Sequence, residues 1–545
     1  MASSTAELTA GPAGRTSGAP TPPLGLLAAG LVLGAVFAAP AVYLIWQTFT
    51  ADADPAGLLT NRRTLDPLGR TLQLAGLVSL TAMLVGTALA WLTTRTDLPG
   101  ARLWRVLLPL PLVVPTFVGA AAMIRTVNPG GLLDDLLSAV GVGATPELRG
   151  LTGAWLVLTL FTYPYVYLPA AARFRQLPGA LEDTARVLGD GPWRTFRRVC
   201  LPQAAPAIGA GTVLVFLYAV SDFGAVILLR YDTLTRAINT SYLADRAAAL
   251  ALSFVLLTLA IVVVVVERWL SARGGHEPVA RSSPPSVYPL GRWRLPALGL
   301  VVGWVVVALG GPIASLVDWS VGGLVSSRRG GRGLTIDGVD VAEATWGSLQ
   351  VGVLAAIVAI VAVLPIAYLN ARHRSMIGAT ASALVISTFA VPGLLIALSV
   401  RFWTLPTWAD ALVGDTMALL VFAYVVRFGS LAMGVTLVAV RSVPPRLGDA
   451  AATLGAGRWR RLRTIDLPIV VPGLSAGAGL VLLSVMKELP ISLLVSPLGY
   501  SNLATRIFLS FQDAFVAEAG ILALVLVALS FVLSWFLVLR RADHL

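Results

Sequence analysis

Two stretches of this chain repeat one another, PGALEDTARVLGDGPWRTFRRVCLPQAAPAI at 178–208 and PPRLGDAAATLGAGRWRRLRTIDLPIVVPGL at 444–474. They align without a gap at an offset of 266 residues, and thirteen of the 31 positions are identical. A second pair, VVPTFVGA at 113–120 and AVPGLLIA at 390–397, aligns at an offset of 277. Because both pairs occur in the same order, the sequence predicts two homologous halves.

The repeated unit predicts two short helices joined by a tight turn. In the first copy a helix is expected over 181–188. Gly189 and Gly191 then permit a sharp reversal, because glycine reaches positive φ without steric cost. A short basic amphipathic helix with proline in its first turn is expected over 192–199, and Pro202 and Pro206 are expected to start the next apolar run. The unit is therefore expected to form a helix–turn–helix.

The composition is that of a polytopic membrane protein. Of 545 residues, 57% are hydrophobic and 12% are charged, whereas a soluble domain carries about a quarter charged residues. Apolar runs long enough to cross a bilayer, about 20 residues each, number twelve. They lie at 24–46, 71–94, 106–124, 150–172, 207–229, 247–266, 295–317, 344–371, 375–400, 416–440, 469–492 and 519–539. The predicted fold is all-α, with twelve transmembrane helices in two six-helix halves.

The charged residues orient these spans. Arginines favour one side of the membrane by roughly two to one, and the positive-inside rule makes that side the cytoplasm. The predicted order is a disordered cytoplasmic tail at 1–23, a first transmembrane domain at 24–270, a cytoplasmic linker at 271–293 and a second transmembrane domain at 294–545. Both termini and both repeated units are then cytoplasmic, and the lipid bilayer surrounds the rest.

The repeated unit resembles the EAA loop of type I permeases of ATP-binding-cassette importers, whose pattern is EAA, three residues, Gly, nine residues, Ile, any residue and Leu-Pro. Both copies have Asp in place of Glu, and Thr184 replaces an Ala. In that family the loop is a coupling helix that docks on the ATPase subunit, and the resemblance implies this role for the matching residues. They are Asp183, Ala185, Gly189, Trp193, Arg197, Leu201, Pro202, Asp449, Ala451, Gly455, Trp459, Arg463, Leu467 and Pro468. A generic amphipathic loop would explain one copy, but not two in matched places.

The energy source is expected on another subunit. A P-loop needs a lysine directly after glycine, but the single lysine of this chain, Lys487, follows Met486. The chain is therefore expected to be a permease without catalytic residues or cofactors, with ATP and Mg²⁺ on a partner. Two coupling loops imply a homodimeric ATPase, and the resemblance implies an extracytoplasmic substrate-binding protein. We expect a multi-pass protein of a bacterial plasma membrane.

Several other classes of protein fit less well. The net charge of +12 is dispersed in short clusters between apolar runs, which is unlike a nucleic-acid-binding face. Three scattered histidines make neither a metal site nor the cluster that a membrane enzyme would need. An ion-coupled secondary transporter or a channel would leave the paired coupling loops unexplained. The secondary transporter stays the main alternative of another class.

Ionisable residues inside spans are costly and usually functional. The offset of 266 pairs Asp222 with Glu488, each late in the span that follows a coupling loop. One interpretation places these acids on a shared central pathway, and the other places them at the external interface, paired with neighbours such as Lys487. Arg427 is expected to pair with an acid or to cap a helix break. The candidate pathway residues are Asp222, Lys487, Glu488, Pro115 and Pro392, although a purely structural kink is the favoured interpretation of the two prolines.

The cargo is indicated by resemblance alone. The segments KELPISLLVSPLGYSNLATRIF (487–508), AYVVRF (423–428) and SDFGAVILLRYDTLTRAI (221–238) are similar to fused, twelve-span ferric-iron permeases. That similarity implies ferric iron, and carboxylates would suit such a hard cation. Thiamine, polyamine, aminophosphonate and sulfate permeases share the EAA loops, so these cargoes stay open.

Overall fold

A computed structural model describes residues 22–50, 57, 61–139, 141, 145–273, 286–328, 334–373, 375–405 and 407–536. Most of the predicted tail at 1–23 and the central part of the predicted linker at 271–293 lie outside these residues, as does the C-terminal segment 537–545. Within the described residues the chain is helical and contains no β-strand. The one isolated bridge there joins Thr96 to Tyr288.

The helices of the two halves follow one another in a similar order. The first half contains α1 Leu24–Thr50, α2 Arg62–Arg95, α3 Ala101–Leu107, α4 Thr116–Val127, α5 Leu132–Ser138, α6 Gly150–Thr162, α7 Pro164–Gln176, α8 Gly179–Val187, α9 Pro192–Thr195, α10 Leu201–Ser221, α11 Gly224–Leu228, α12 Leu234–Ser241 and α13 Arg246–Arg273. The second contains α14 Arg294–Val305, α15 Gly311–Arg328, α16 Gly338–His373, α17 Met376–Ser387, α18 Gly393–Thr404, α19 Met417–Arg441, α20 Pro445–Thr453, α21 Arg458–Arg461, α22 Leu467–Met486, α23 Pro490–Val495, α24 Leu503–Gln512 and α25 Val516–Ser534.

Length and hydropathy confirm the predicted number of spans. Ten helical stretches of the described chain are long and apolar enough to cross a membrane, and two bent pairs bring the total to twelve. The bent pairs are Ala101–Val113 with Thr116–Ser138, at 102°, and Met376–Ala390 with Gly393–Thr404, at 107°. The predicted segments 106–124 and 375–400 are therefore broken spans rather than single helices.

Each break falls directly before a proline. Val114 and Val391 are extended, with ψ of 123° and 118°, and Pro115 and Pro392 follow them. Proline disfavours the α conformation for the residue before it and cannot donate the hydrogen bond that would continue the helix. The structure thus gives both prolines a much sharper bend than the kink that the sequence predicts.

The first span of each half packs against the opposite half. Helix α1 lies against α16, α17 and α18. Gly34 makes this approach close, since a Cβ there would lie 3.2 Å from the Cβ of Ala381. In return α15 packs against α4, where Arg125 pairs with Asp318 at 3.0 Å. The exchange joins the two halves into one bundle, so their interface is built from whole helices.

Candidate translocation site and coupling loops

The first coupling loop (178–208) forms a helix, a turn and a second helix, as predicted. Helix α8 ends at a turn in which Gly189 has φ +89°. Gly191 has φ −69°, so the expectation that both glycines use positive φ is wrong for this residue. Pro202 lies in the first turn of α10, but it does not follow a break in the helix. Pro192–Ser221 is one continuous helical stretch, because a π turn at Phe196–Cys200 joins α9 to α10 without interrupting the hydrogen-bonded helix.

The second coupling loop (444–474) repeats this arrangement. Helix α20 ends at a turn in which Gly455 has φ +74°. A π turn at Leu462–Asp466 then leads into α22, at the same place in the repeat as the first π turn. The two loops therefore share their backbone design, including a feature that the sequence did not predict.

Burial divides the predicted coupling residues. Ala185 and Ala451 face inward and Leu201 is half-buried. The exposed residues are Asp183, Gly189, Trp193, Arg197, Pro202, Gly455, Arg463, Leu467 and Pro468. The side chains of Asp449 and Trp459 lie outside the described part of the structure. Each turn presents a large apolar residue to the outside, since Leu188 is 80% exposed and Leu454 is 87% exposed.

The predicted pathway charges meet in one cavity between the halves. Its volume is about 70 Å³. Asp222, Thr116 and Tyr218 of the first half line it together with a second-half group formed by Arg427, Lys487 and Glu488. Sequence reasoning predicted the pairing of the two acids. It missed Thr116 and Tyr218, although the aligned pair at 113–120 and 390–397 contains Thr116.

Asp222 caps a helix and also faces the cavity. It directly follows α10, and its Oδ1 accepts hydrogen bonds from the backbone N–H groups of Ala225 and Val226, at 3.1 and 3.3 Å. These bonds cap the N-terminus of the short helix α11. Its Oδ2 accepts a 2.7 Å hydrogen bond from the Thr116 hydroxyl. The carboxylate is thereby held in one orientation at the cavity wall.

Glu488 occupies the equivalent place in the second half with a different neighbour. The offset of 277 puts Gly393 where the first half has Thr116. A Cβ on Gly393 would lie 2.1 Å from the Glu488 Oε1 and 3.6 Å from the Arg427 Nε. The longer acid, Glu488, therefore fits because Gly393 has no side chain, whereas the shorter acid, Asp222, contacts Thr116.

The two cations satisfy the carbonyl groups that the broken spans leave unpaired. Lys487 donates to the Leu112 carbonyl at 3.0 Å, and Arg427 donates to those of Phe389 and Val391 at 2.9 and 2.5 Å. Leu112 and Phe389 are equivalent at the offset of 277. Backbone groups freed at membrane depth must find partners within the protein. The structure thus puts Arg427 at a helix break, one of the two positions expected for it.

Pro115 and Pro392 stand beside the cavity rather than in its wall. Each precedes the residue that contacts an acid, Thr116 or Gly393. Their positions fit the structural interpretation of the two prolines.

The fold and the site together define a two-halved membrane permease. The family of binding-protein-dependent transport system inner membrane components matches this chain twice, over residues 82–274 and 363–544. The chain belongs to this family, and one match in each half confirms the resemblance found in the coupling loops. It is a multi-pass permease component of a transport system.

Curated relatives fall into two groups. The Fe(3+)-transport system permease protein FbpB 2 of Haemophilus influenzae is 27% identical over 93% of this chain and 97% of the relative. The putative ferric transport system permease protein FbpB 1 of the same organism is 23% identical over 76% and 68%. Shorter relatives match one half. The sulfate transport system permease protein CysT of Escherichia coli is 26% identical over 41% of this chain and 82% of its own length.

Proposed function

We propose that this chain is the permease of an ATP-driven, binding-protein-dependent importer that carries ferric iron. The observation that carries the proposal is the extent of the similarity to a permease described as Fe(3+)-transporting, which spans both halves and nearly the whole of both chains. Sulfate and molybdenum permeases match one half of this chain. The ferric relative FbpB 2, in contrast, matches this chain over nearly its whole length.

The chemistry of the cavity supports a cation as cargo. Arg427 and Lys487 each donate to main-chain carbonyls, so these two charges serve the broken spans. Glu488 faces the cavity beside Gly393, and a carboxylate oxygen is a ligand that hard cations prefer. We propose Asp222 and Glu488 as pathway residues. The presence of two cations in the same wall favours an oxyanion such as sulfate as the second candidate.

The two coupling loops are proposed as the docking sites of a separate, homodimeric ATPase, which would carry ATP and Mg²⁺. Their matched turns and exposed apolar residues, Leu188 and Leu454, support two equivalent contacts. The same proposal puts both termini in the cytoplasm and an extracytoplasmic binding protein on the opposite face.

Reconstitution tests the cargo. The chain, purified with the ATPase and binding protein that accompany it, is placed in proteoliposomes, and uptake of radioactive Fe³⁺, sulfate and molybdate is measured with and without ATP. We expect ATP-dependent uptake of Fe³⁺ alone. Uptake of an oxyanion without Fe³⁺ uptake would replace iron by the second candidate. Uptake driven by an ion gradient without ATP would refute the importer class itself.

The role of the acids is tested with Asp222→Asn combined with Glu488→Gln. An Asn side chain still accepts the hydrogen bonds that cap α11, so the exchange removes charge and retains the cap. We expect uptake to fall by about tenfold or more, with unchanged co-purification of the ATPase. Asp513→Asn, at an exposed acid just after α24, is the matched control. Wild-type uptake by the double variant would remove both acids from the pathway.

A further inference from the structure

A buried ion pair joins the first coupling loop to the second span of the first half. Arg95 is the last residue of α2 and Glu182 lies in α8, and the two pair with 0% and 1% of their side chains exposed. Tyr288 adds a third group, since its hydroxyl donates to the Glu182 Oε2 at 2.5 Å. A buried charge whose partner is removed is strongly destabilised. The three residues therefore act as one unit.

The third member of this unit comes from the segment that connects the two halves. The Tyr288 N–H donates to the Arg95 carbonyl at 2.8 Å. Two residues later, the Leu290 N–H donates to the Asp97 carboxylate at 2.8 Å. Burial raises the pKa of the Tyr288 phenol above its ordinary value, so it remains protonated as a donor at neutral pH. The end of the linker is thus docked on the first half, directly over the coupling loop.

The second half fixes its coupling loop with an acid from another position. Arg372 is equivalent to Arg95 at the offset of 277, and it pairs with Asp466 at 3.8 Å. The position equivalent to Glu182 is Gly448, where the Arg461 side chain occupies the space, since a Cβ would lie 2.3 Å from the Arg461 Cζ. Arg461 in turn lies 3.6 Å from the Asp466 carboxylate.

The acid of the second half also has a non-acidic equivalent in the first half. Asp466 corresponds at the offset of 266 to Cys200, which is buried in the first half beside Arg95 and Tyr288. One half has the acid in the coupling helix, and the other has it at the start of the following span. The arginine at the end of the second span is the constant member. This arginine is present in both halves, although its acidic partner stands at a different sequence position in each. The ion pair between the second span and the coupling loop is therefore the feature that the two halves share.

We infer that Arg95 and Arg372 each fix a coupling loop to the membrane bundle through one buried carboxylate, and that Tyr288 of the linker is a positioning residue for the first loop. The inference rests on the proposed docking of an ATPase on these loops. A loop fixed in this way moves together with the second span, whereas a released loop moves without it. Loss of the connection would separate ATP hydrolysis from import.

The single cysteine of the chain gives a test that requires no transport. Cys200 is buried beside Tyr288, so its reaction with a maleimide reports local opening of this unit. Tyr288→Phe removes the hydrogen bond to a buried charge while retaining the ring, and we expect labelling to become about tenfold faster. Tyr242→Phe, at a tyrosine outside this unit, and Asp466→Asn, in the other loop, are controls with unchanged labelling. Equal rates for Tyr288→Phe and wild type would overturn the role of Tyr288.

A rescue experiment uses the repeat itself. We expect Glu182→Gln to lower import per ATP hydrolysed by about tenfold, and we expect Glu182→Gln combined with Cys200→Asp to restore it to within about twofold. The second variant places the acid where the other half has it. If the Glu182→Gln chain does not fold, Tyr288→Phe is measured in its place, with about a threefold loss expected. Normal coupling in the single variants, or no recovery in the double variant, would refute the inference. Absence of ATPase binding and import in the wild-type chain would instead refute the proposed function, and the labelling test would still stand.

Discussion

Replacing Gly393 with alanine puts a methyl group where the Glu488 carboxylate now lies. The new Cβ would be 2.1 Å from the Glu488 Oε1, while the neighbouring Arg427 Nε, at 3.6 Å, is at an ordinary contact distance. The change therefore acts on the acid and leaves the arginine in place. Gly393 is the first residue of α18, where alanine is a better helix former than glycine.

The size of the effect follows from what has to move. The carboxylate must retreat by more than an ångström to reach an ordinary contact. Overpacking costs about 1–3 kcal/mol, and we expect the lower end because the displaced group is the end of a flexible side chain. The free energy of unfolding should therefore fall by only about 1 kcal/mol. If the same cost of about 1 kcal/mol opposes transport, import should fall by about fivefold, since about 1.4 kcal/mol corresponds to tenfold in an equilibrium.

The assay is ATP-dependent uptake in proteoliposomes, with thermal unfolding measured on the same preparation. Gly434→Ala in α19 is the matched control, because nothing lies within 4 Å of a Cβ there, and it should import normally. Adding Glu488→Asp to Gly393→Ala shortens the acid, as in the first half, and should recover most of the uptake. Wild-type uptake by Gly393→Ala with normal stability would show that the position of this carboxylate does not matter to transport.

Three further predictions concern stability and are read by thermal unfolding. Gly189→Ala should cost about 1–2 kcal/mol because its φ is +89°, whereas Gly191→Ala, at φ −69°, should be nearly neutral. Lys487→Met should cost about 1–3 kcal/mol because the Leu112 carbonyl loses its donor; a neutral result would mean that another group or water replaces the ammonium. Gly34→Leu should destabilise the chain by about 1–3 kcal/mol, because α1 could no longer approach the second half closely; unchanged stability would refute the close contact.

The sequence predicted those parts of the fold that depend on local composition. The bilayer imposes a length and a polarity on every span, so twelve apolar runs became twelve spans. The coupling helices were visible because the repeat and its glycines occur twice. The pairing of Asp222 with Glu488 followed from the same offset, and the structure brings both acids to one cavity.

The remaining features depend on contacts that no local pattern encodes. Helix α1 is apolar on all sides, so its sequence does not say which half it packs against. The apolar run at 106–124 is continuous, and the three prolines within it do not reveal a bend of 102°. Glu182 and Tyr288 are 106 residues apart. The one signal was a mismatch in the repeat, where Gly448 stands opposite Glu182 and Asp466 stands opposite Cys200.

The repeat has two offsets, 266 and 277, and the structure explains why they differ. From the coupling loop to the cavity acid, the offset stays at 266 because a single helical stretch connects them, Pro192–Ser221 in the first half and Leu462–Met486 in the second. Each added residue in such a helix would turn the acid by about 100° and carry it away from the cavity. Both halves even keep the π turn at the same place. Between the pair that aligns at 277 and the coupling loops that align at 266, the chain passes through loops. An insertion in the loops of the first half accounts for the change of offset without rotating any cavity residue. The connecting helix thus joins the coupling loop to the cavity, and its length must be kept for the acid to reach the cavity. For this reason the two copies of the repeat have the same length over this helix.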